Sequence, residues 1–192
     1  MGIYDLVLKN RSYRSFDAAH AVTEEELRTF VEAARICPSA ANRQPLRYRP
    51  CCTPEDMKKV LPHTKWAAAL PKWHFPPEGH EPTAAIVICH DKTVNPAENT
   101  SATDVGIAAQ TILLLAAEFG LGGCMIGSFD RAGIAKDLGL AEHLAPVLIL
   151  AIGKPDETVV LETAGKGEST TYFRDDKGVH HVPKRALTDI LI

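Results

Sequence analysis

The 192-residue chain is short of most features that would name a function at once. It has no Gly-x-Gly-x-x-Gly: Gly120 and Gly122 have the first spacing, but Met125 stands where the third glycine belongs. A dinucleotide fingerprint of the Rossmann kind is therefore absent. It has no P-loop, because Gly165-Lys166 is followed by glycine rather than serine or threonine. Ser12 and Ser39 lack the Gly-x-Ser-x-Gly context of an elbow nucleophile. The five cysteines, Cys37, Cys51, Cys52, Cys89 and Cys124, form no Cys-x-x-Cys pair and are odd in number. No basic residue stands beside them to activate a thiol, so they read as reduced small hydrophobes. His180 and His181 are neighbours on an expected strand, and neighbours point to opposite faces. No metal site is expected.

Charge of one sign is scarce too. The formal net charge is −3, which draws in neither nucleic acid nor an anionic membrane. Local basic clusters then need local reasons. The apolar runs at residues 112–117 and 147–152 are too short to span a bilayer. Residues 1–10 carry Asp5 and Lys9 in a short apolar pattern, so no signal peptide is expected. These features point to a cytoplasmic protein.

Neither an internal repeat nor a linker divides the chain, and 192 residues suit one domain, residues 1–192. Ile3, Leu6 and Val7 predict a short N-terminal helix. Thr23 and Glu26 form a capping box before a helix with Leu27, Phe30, Val31 and Ala34 on one face. Pro38 stops that helix near Cys37. Residues 46–52 predict a strand, and Thr53-Pro54-Glu55-Asp56 opens a further helix. Residues 84–89 read as a doubly buried strand. Residues 91–103 read as a polar loop. Residues 104–119 form a helix apolar nearly all round, buried in the core or in a subunit interface. Strands follow at 122–128 and 147–152, with a short helix capped by Asp130 between them. Residues 172–182 predict a hairpin with Gly178 in its turn, before a last helical turn at Leu187, Ile190 and Leu191. Strands and helices alternate irregularly, which makes the class α+β.

The segment 62–83 has another character. Five prolines and both tryptophans, Trp66 and Trp73, fall in it. It is either a functional cover over a site or a loop whose tryptophans only pack it down.

The central stretch is Pro38-Ser39-Ala40-Ala41-Asn42-Arg43-Gln44-Pro45. Its small residues allow close backbone approach. Ser39, Asn42 and Gln44 donate and accept hydrogen bonds, and the prolines stiffen both ends. Alone, such a loop could be mere connection. Two basic clusters accompany it: Arg11, Ser12 and Arg14 near one end of the chain, Lys184 and Arg185 near the other. Both suit a phosphate monoester. Ile126-Gly127 offers bare backbone to a planar ring. A terminal phosphate, a polyol and a ring with polar edges and apolar faces describe flavin mononucleotide (FMN).

With these pieces in order, the chain resembles the nitroreductase family of FMN-dependent NAD(P)H oxidoreductases. The likeness rests on residues 11–16, 38–45, 106–127, 152–155 and 183–185. It implies a mixed central β-sheet flanked by helices, in an intertwined homodimer with two FMN sites at the interface. It implies cofactor contacts from Arg11, Ser12, Tyr13, Arg14, Lys184 and Arg185, with Ile126 and Gly127 beside the ring's reactive nitrogen. Pro38, Ser39, Ala40, Asn42 and Gln44 would come from the second subunit. The expected activity is ping-pong hydride transfer from NADH or NADPH, through FMN, to nitroaromatic, quinone or similar conjugated acceptors. Arg14 is the candidate for stabilising charge on the reduced ring; no other side chain need take a catalytic part. A specialised dehalogenase or flavin reductase, or a flavin-binding protein without turnover, is the alternative. Asn10, Ala40 and Leu46 depart from the family's frequent arginine, serine and tryptophan. Gly127 stands where some members carry glutamate, so substrate preference does not transfer.

Overall fold

The computed structural model describes residues 2–97 and 101–192. Residues 98–100, within the polar loop expected over 91–103, lie outside the described residues. The elements in chain order are α1 (Ile3–Lys9), α2 (Glu24–Arg35), β1 (Leu46–Cys51), α3 (Pro54–Val60), β2 (Ala84–Asp91), α4 (Ala102–Glu118), β3 (Gly122–Ile126), α5 (Arg131–Asp137), β4 (Leu144–Gly153), β5 (Val159–Ala164), β6 (Phe173–Arg174) and β7 (His180–Arg185).

β1, β2, β4 and β3 lie side by side in that order. β2 is buried along its whole length. Alternate side chains of its apolar run leave on opposite faces, so it feeds two cores. Ile86 and Ile88, with Leu150 and Ile152 of β4, meet Leu27, Phe30 and Ala34 of α2 and Ala108, Ile112 and Ala116 of α4. Ala85, Val87 and Cys89, with Ile149 and Ala151, meet Met57 and Val60 of α3 and Ile134 of α5. Helices thus cover both faces of the sheet.

The helix signals act as expected. Thr23 accepts from the Glu26 N–H and Glu26 returns to Thr23, closing the capping box of α2. Thr53 accepts from the Asp56 N–H, with Pro54 in the first turn of α3. Asp130 caps α5 through the Ala132 and Gly133 N–H groups. α4 begins two residues earlier than the apolar pattern suggested.

Pairing in the central sheet is antiparallel between all four strands. The mixed character expected of it enters at its edge, where Ser12 forms a parallel bridge to Gly123. The Tyr13 N–H donates to the Gly123 carbonyl at 3.0 Å. Phe16 is wholly buried and bridges to Pro155. A β-carbon on Gly123 would overlap the Ala151 carbonyl, and one on Gly122 would overlap the Tyr13 ring. Gly122 lets the N-terminal segment lie flat on this edge, and Gly123 lets β3 pack closely on β4.

β5, β7 and β6 form a second sheet, with β5 and β7 parallel and β6 and β7 antiparallel. The hairpin turn closes on Asp175, whose carboxylate accepts from the Lys177 and Val179 N–H groups at 2.9 and 2.8 Å. Gly178 takes the left-handed conformation there, φ 79°. The segment after α3 has a 3-10 turn at Leu61–His63, hydrogen-bonded turns at 67–70, 70–73 and 77–80, and one bridge, Thr64 to Phe129, before β2. Among the described residues, no helix is long and apolar enough to cross a membrane.

Candidate functional site

Ser12 and Arg14 alternate with Tyr13 along the segment laid on β3. Tyr13 turns its ring onto Gly122 and donates its hydroxyl to the Lys9 carbonyl at 2.8 Å. Ser12 and Arg14 face the other way, into a cavity of about 390 Å³. Its walls are Asn10, Arg11, Ser12 and Arg14, Gln110 and Leu113 of α4, Met125 of β3, Tyr172, and His180, Val182 and Lys184 of β7. β7 supplies every second residue, as a strand must. Lys184 therefore enters the cavity, while Arg185 falls on the other face of β7 and does not line it. Basic groups from both ends of the chain share one wall. Among the described residues, no acidic side chain lines this space.

The Arg14 side chain is held on three sides. Its Nη1 donates to the Ser12 carbonyl at 3.1 Å and lies 3.2 Å from His180 Nε2. The guanidinium sits over the Tyr172 ring, 5.0 Å from its centroid. Burial, followed by the fields of Arg14, Arg174 and His181, pushes His180 down to about 4. A neutral imidazole accepts from Arg14 through Nε2 and keeps its proton on Nδ1. Beneath the turn, Glu157 accepts from the Arg14 and Ser15 N–H groups and pairs with Arg174. Both members of that pair are buried. Trp73 and Phe75 stack on Arg174, with ring centroids 5.5 and 4.7 Å from its guanidinium carbon.

A second hollow, about 300 Å³, opens beside the first. Ile126, Gly127, Ser128, Cys124 and residues 65–68 line it, and Arg14 and Met125 belong to both. A flat group could pass from the basic end, past Met125, to the bare backbone of Gly127. Among the described residues, nothing lies within 4 Å of the place a Gly127 β-carbon would take. Trp66 is fixed here by donating to Thr64 Oγ1 at 2.8 Å. The 62–83 segment thus divides its tryptophans: Trp66 walls the second hollow and Trp73 shields Arg174.

The Pro38–Pro45 loop lies elsewhere. Pro38, Ser39 and Gln44 border a separate cavity of about 290 Å³ that reaches Asp104 and Ala108 of α4. Ala40 lines a further small hollow with Arg43 and Asp104. Asn42 is exposed and pairs with Gln44, whose Nε2 donates to Asn42 Oδ1 at 3.1 Å. The Ser39 hydroxyl is turned inward, donating to Asp104 Oδ2 at 2.6 Å. Asp104 and Leu113 are about half a turn out of phase on an α-helix. So α4 stands between the loop and the basic cavity of its own chain.

Tyr172, Gln110, Met125, Glu157, Arg174 and Asp104 were not expected at the site from sequence, and His180 was weighed only as a metal ligand. Only His180 left a signal, being four residues before Lys184 on one strand face. The five cysteines are free thiols, and burial pushes Cys51 up to about 12 and Cys89 to about 11. No group of three or more metal-ligating side chains is gathered among the described residues.

Fold and site together define a flavoenzyme-like class, and comparison with known proteins is specific. The family model described as "Nitroreductase family" matches residues 7–154. The chain belongs to the nitroreductase family. A Bacillus subtilis (strain 168) protein provisionally named NAD(P)H nitroreductase YdgI is 25% identical, over 78% of this chain and 87% of its own. The NADPH-flavin oxidoreductase of Vibrio harveyi is 29% identical, over 80% of this chain and 65% of its own. An FMN-dependent nitroreductase structure from Clostridium difficile R20291 superposes with a TM-score of 0.62 at 25% identity, covering 79% of this chain and 87% of that one.

Proposed function

We propose that the chain is an FMN-dependent NAD(P)H oxidoreductase that acts as a homodimer, with residues 1–192 forming one working domain. One observation carries this reading: Arg11, Ser12, Arg14 and Lys184 line one cavity, and a second hollow that shares Arg14 and Met125 with it reaches the bare backbone of Gly127. The donor set suits a phosphate monoester at one end and a flat ring at the other. Arg11 Nη2 donates to the Val7 carbonyl at 2.5 Å, while its buried Nε has no hydrogen-bond partner among the described residues, as befits a group awaiting an acceptor.

Bound FMN would supply two-electron chemistry, taking hydride from NADH or NADPH and passing it to a nitroaromatic, quinone or similar acceptor in ping-pong order. The chain's own residues hold and orient. Arg11 and Lys184 neutralise the phosphate, and Ser12 donates a hydrogen bond to it. Arg14, braced by neutral His180 and Tyr172, presents positive charge toward the ring where negative charge develops. Ile126 and Gly127 leave room for the ring, and Trp66 walls the slot in which donor and acceptor take turns. The Pro38–Pro45 loop serves the cavity of a second copy, since α4 bars it from its own. The likeness to an NADPH-flavin oxidoreductase makes free flavin one acceptor to include.

The test is a titration of the purified protein with FMN, then stopped-flow reduction by NADH and by NADPH and a panel of acceptors. A yellow dimer reduced by one nicotinamide is expected. A protein that ignores FMN would end the reading, and one that binds FMN but resists reduction would leave a flavin-binding protein. Arg11→Ala and Lys184→Ala should each weaken FMN binding about tenfold or more without lowering the unfolding temperature. Unchanged affinity in both would remove their phosphate role.

A further inference from the structure

We propose that Asp104 is a positioning residue for the flavin site of the partner subunit, acting across the dimer through the Ser39–Gln44 loop. The inference rests on the function proposed above and adds the device that shapes the loop.

The loop needs such a device. Ala41, Asn42 and Gln44 are all left-handed, with φ of 50, 52 and 53°. That conformation is unfavourable for residues with a β-carbon, and asparagine alone among these three tolerates it well. A loop carrying all three must be held by its surroundings. Arg47 Nη1 donates to the Gln44 carbonyl at 3.1 Å and the Asp91 N–H to the Pro45 carbonyl at 2.8 Å at the far end, and one buried carboxylate anchors the near end. Asp104 Oδ2 accepts the Ser39 hydroxyl at 2.6 Å. The Ala40 N–H reaches both Asp104 oxygens, at 3.2 and 3.3 Å. The Ser39 hydroxyl oxygen in turn accepts the Gln44 N–H at 3.0 Å, which ties the far end of the loop to the near one.

Asp104 is itself set in the core. It is 5% exposed, and the next turns of α4 bury Ala108, Ala109 and Ile112 in the core. The chain of contacts therefore runs from the core, through one carboxylate, to the exposed amides of Asn42 and Gln44. Those amides cannot serve the basic cavity of their own chain, because α4 intervenes. Loss of the Asp104 carboxylate should damage the site of the other subunit.

A hybrid dimer tests this. One subunit carries Asp104→Ala and the other carries Arg11→Ala with Lys184→Ala; different tags allow only hybrids to be purified. FMN is the titrant. Both variant homodimers should bind FMN at least about tenfold more weakly than wild type, as expected for losing a charge-assisted hydrogen bond. The hybrid should hold one FMN per dimer at wild-type affinity, because its intact basic cavity faces its intact loop. An Asp104 that only stabilised its own subunit would leave the hybrid without such a site, and the inference would be overturned. Asp104→Asn keeps an acceptor for Ser39 and should fall between wild type and Asp104→Ala. Should Asp104→Ala not fold, Ser39→Ala breaks the same link from the loop side and takes its place. Wild-type FMN affinity in both the Asp104→Ala and Ser39→Ala homodimers would overturn the inference and leave the proposed function standing. A wild-type protein that binds no FMN would overturn both.

Discussion

The ion pair beneath the Arg14 turn can be broken from one side while its hydrogen bonds are kept. Glu157→Gln retains an acceptor for the Arg14 and Ser15 N–H groups but removes the charge opposite Arg174. The Glu157 and Arg174 side chains are 4% and 8% exposed. Removing one partner of a buried pair costs about 3–5 kcal/mol, most of it from the charge left behind. Arg174 has no second carboxylate partner among the described residues; its neighbours are the Trp73 and Phe75 rings. Those rings would return about 1 kcal/mol. That leaves about 2–4 kcal/mol, and for a chain of this size each kcal/mol shifts the midpoint by about 2–4 °C, so a loss of roughly 4–16 °C is expected. Differential scanning calorimetry, paired with urea melts, reads it. Adding Arg174→Met keeps the aliphatic stem and removes the orphaned charge, so the double variant should recover most of the loss. A single variant within about 1 kcal/mol of wild type, or a double variant no better than the single, would refute the pair as the support of this turn.

His180 makes a prediction in pH. Its folded value is pushed down to about 4, against about 6.5 in the unfolded chain. The unfolded state then binds the proton first, so this contribution to stability is complete above about pH 6.5 and is lost as pH falls toward 4. His180→Gln should flatten the acid limb of a stability–pH curve relative to wild type; parallel curves would show that His180 does not titrate as described. Gly122→Ala would drive a methyl group into the Tyr13 ring and push the N-terminal segment off β3. Hydrogen exchange at the Tyr13 amide should accelerate at least tenfold, and an unchanged rate would contradict the packing of that edge.

Much of this protein was open to reading from its residues. Capping by Thr23, Thr53 and Asp130 is local chemistry between residues two or three apart, and it appears where the sequence puts it. The two-faced burial of β2 follows from an unbroken apolar run. The paired ends, Arg11 and Arg14 with Lys184, could be suspected because basic residues in an acidic chain call for an anion. Strand alternation sets Lys184 apart from Arg185 and Ser12 from Tyr13, a distinction that the expectation of all four at the cofactor did not draw.

Only the tertiary structure decided what stands behind those residues. That Glu157 and Arg174 meet under Arg14, that His180 stays neutral beside it, and that Asp104 grips the Ser39 loop are pairings across long stretches of chain. No local pattern records them, because a carboxylate on a helix looks the same in sequence whether it faces water or a buried partner. The same holds for α4 as a partition. Its composition announces burial, but which flank meets the loop and which meets the basic cavity depends on how the helix is rotated against the sheet, and that is set by packing.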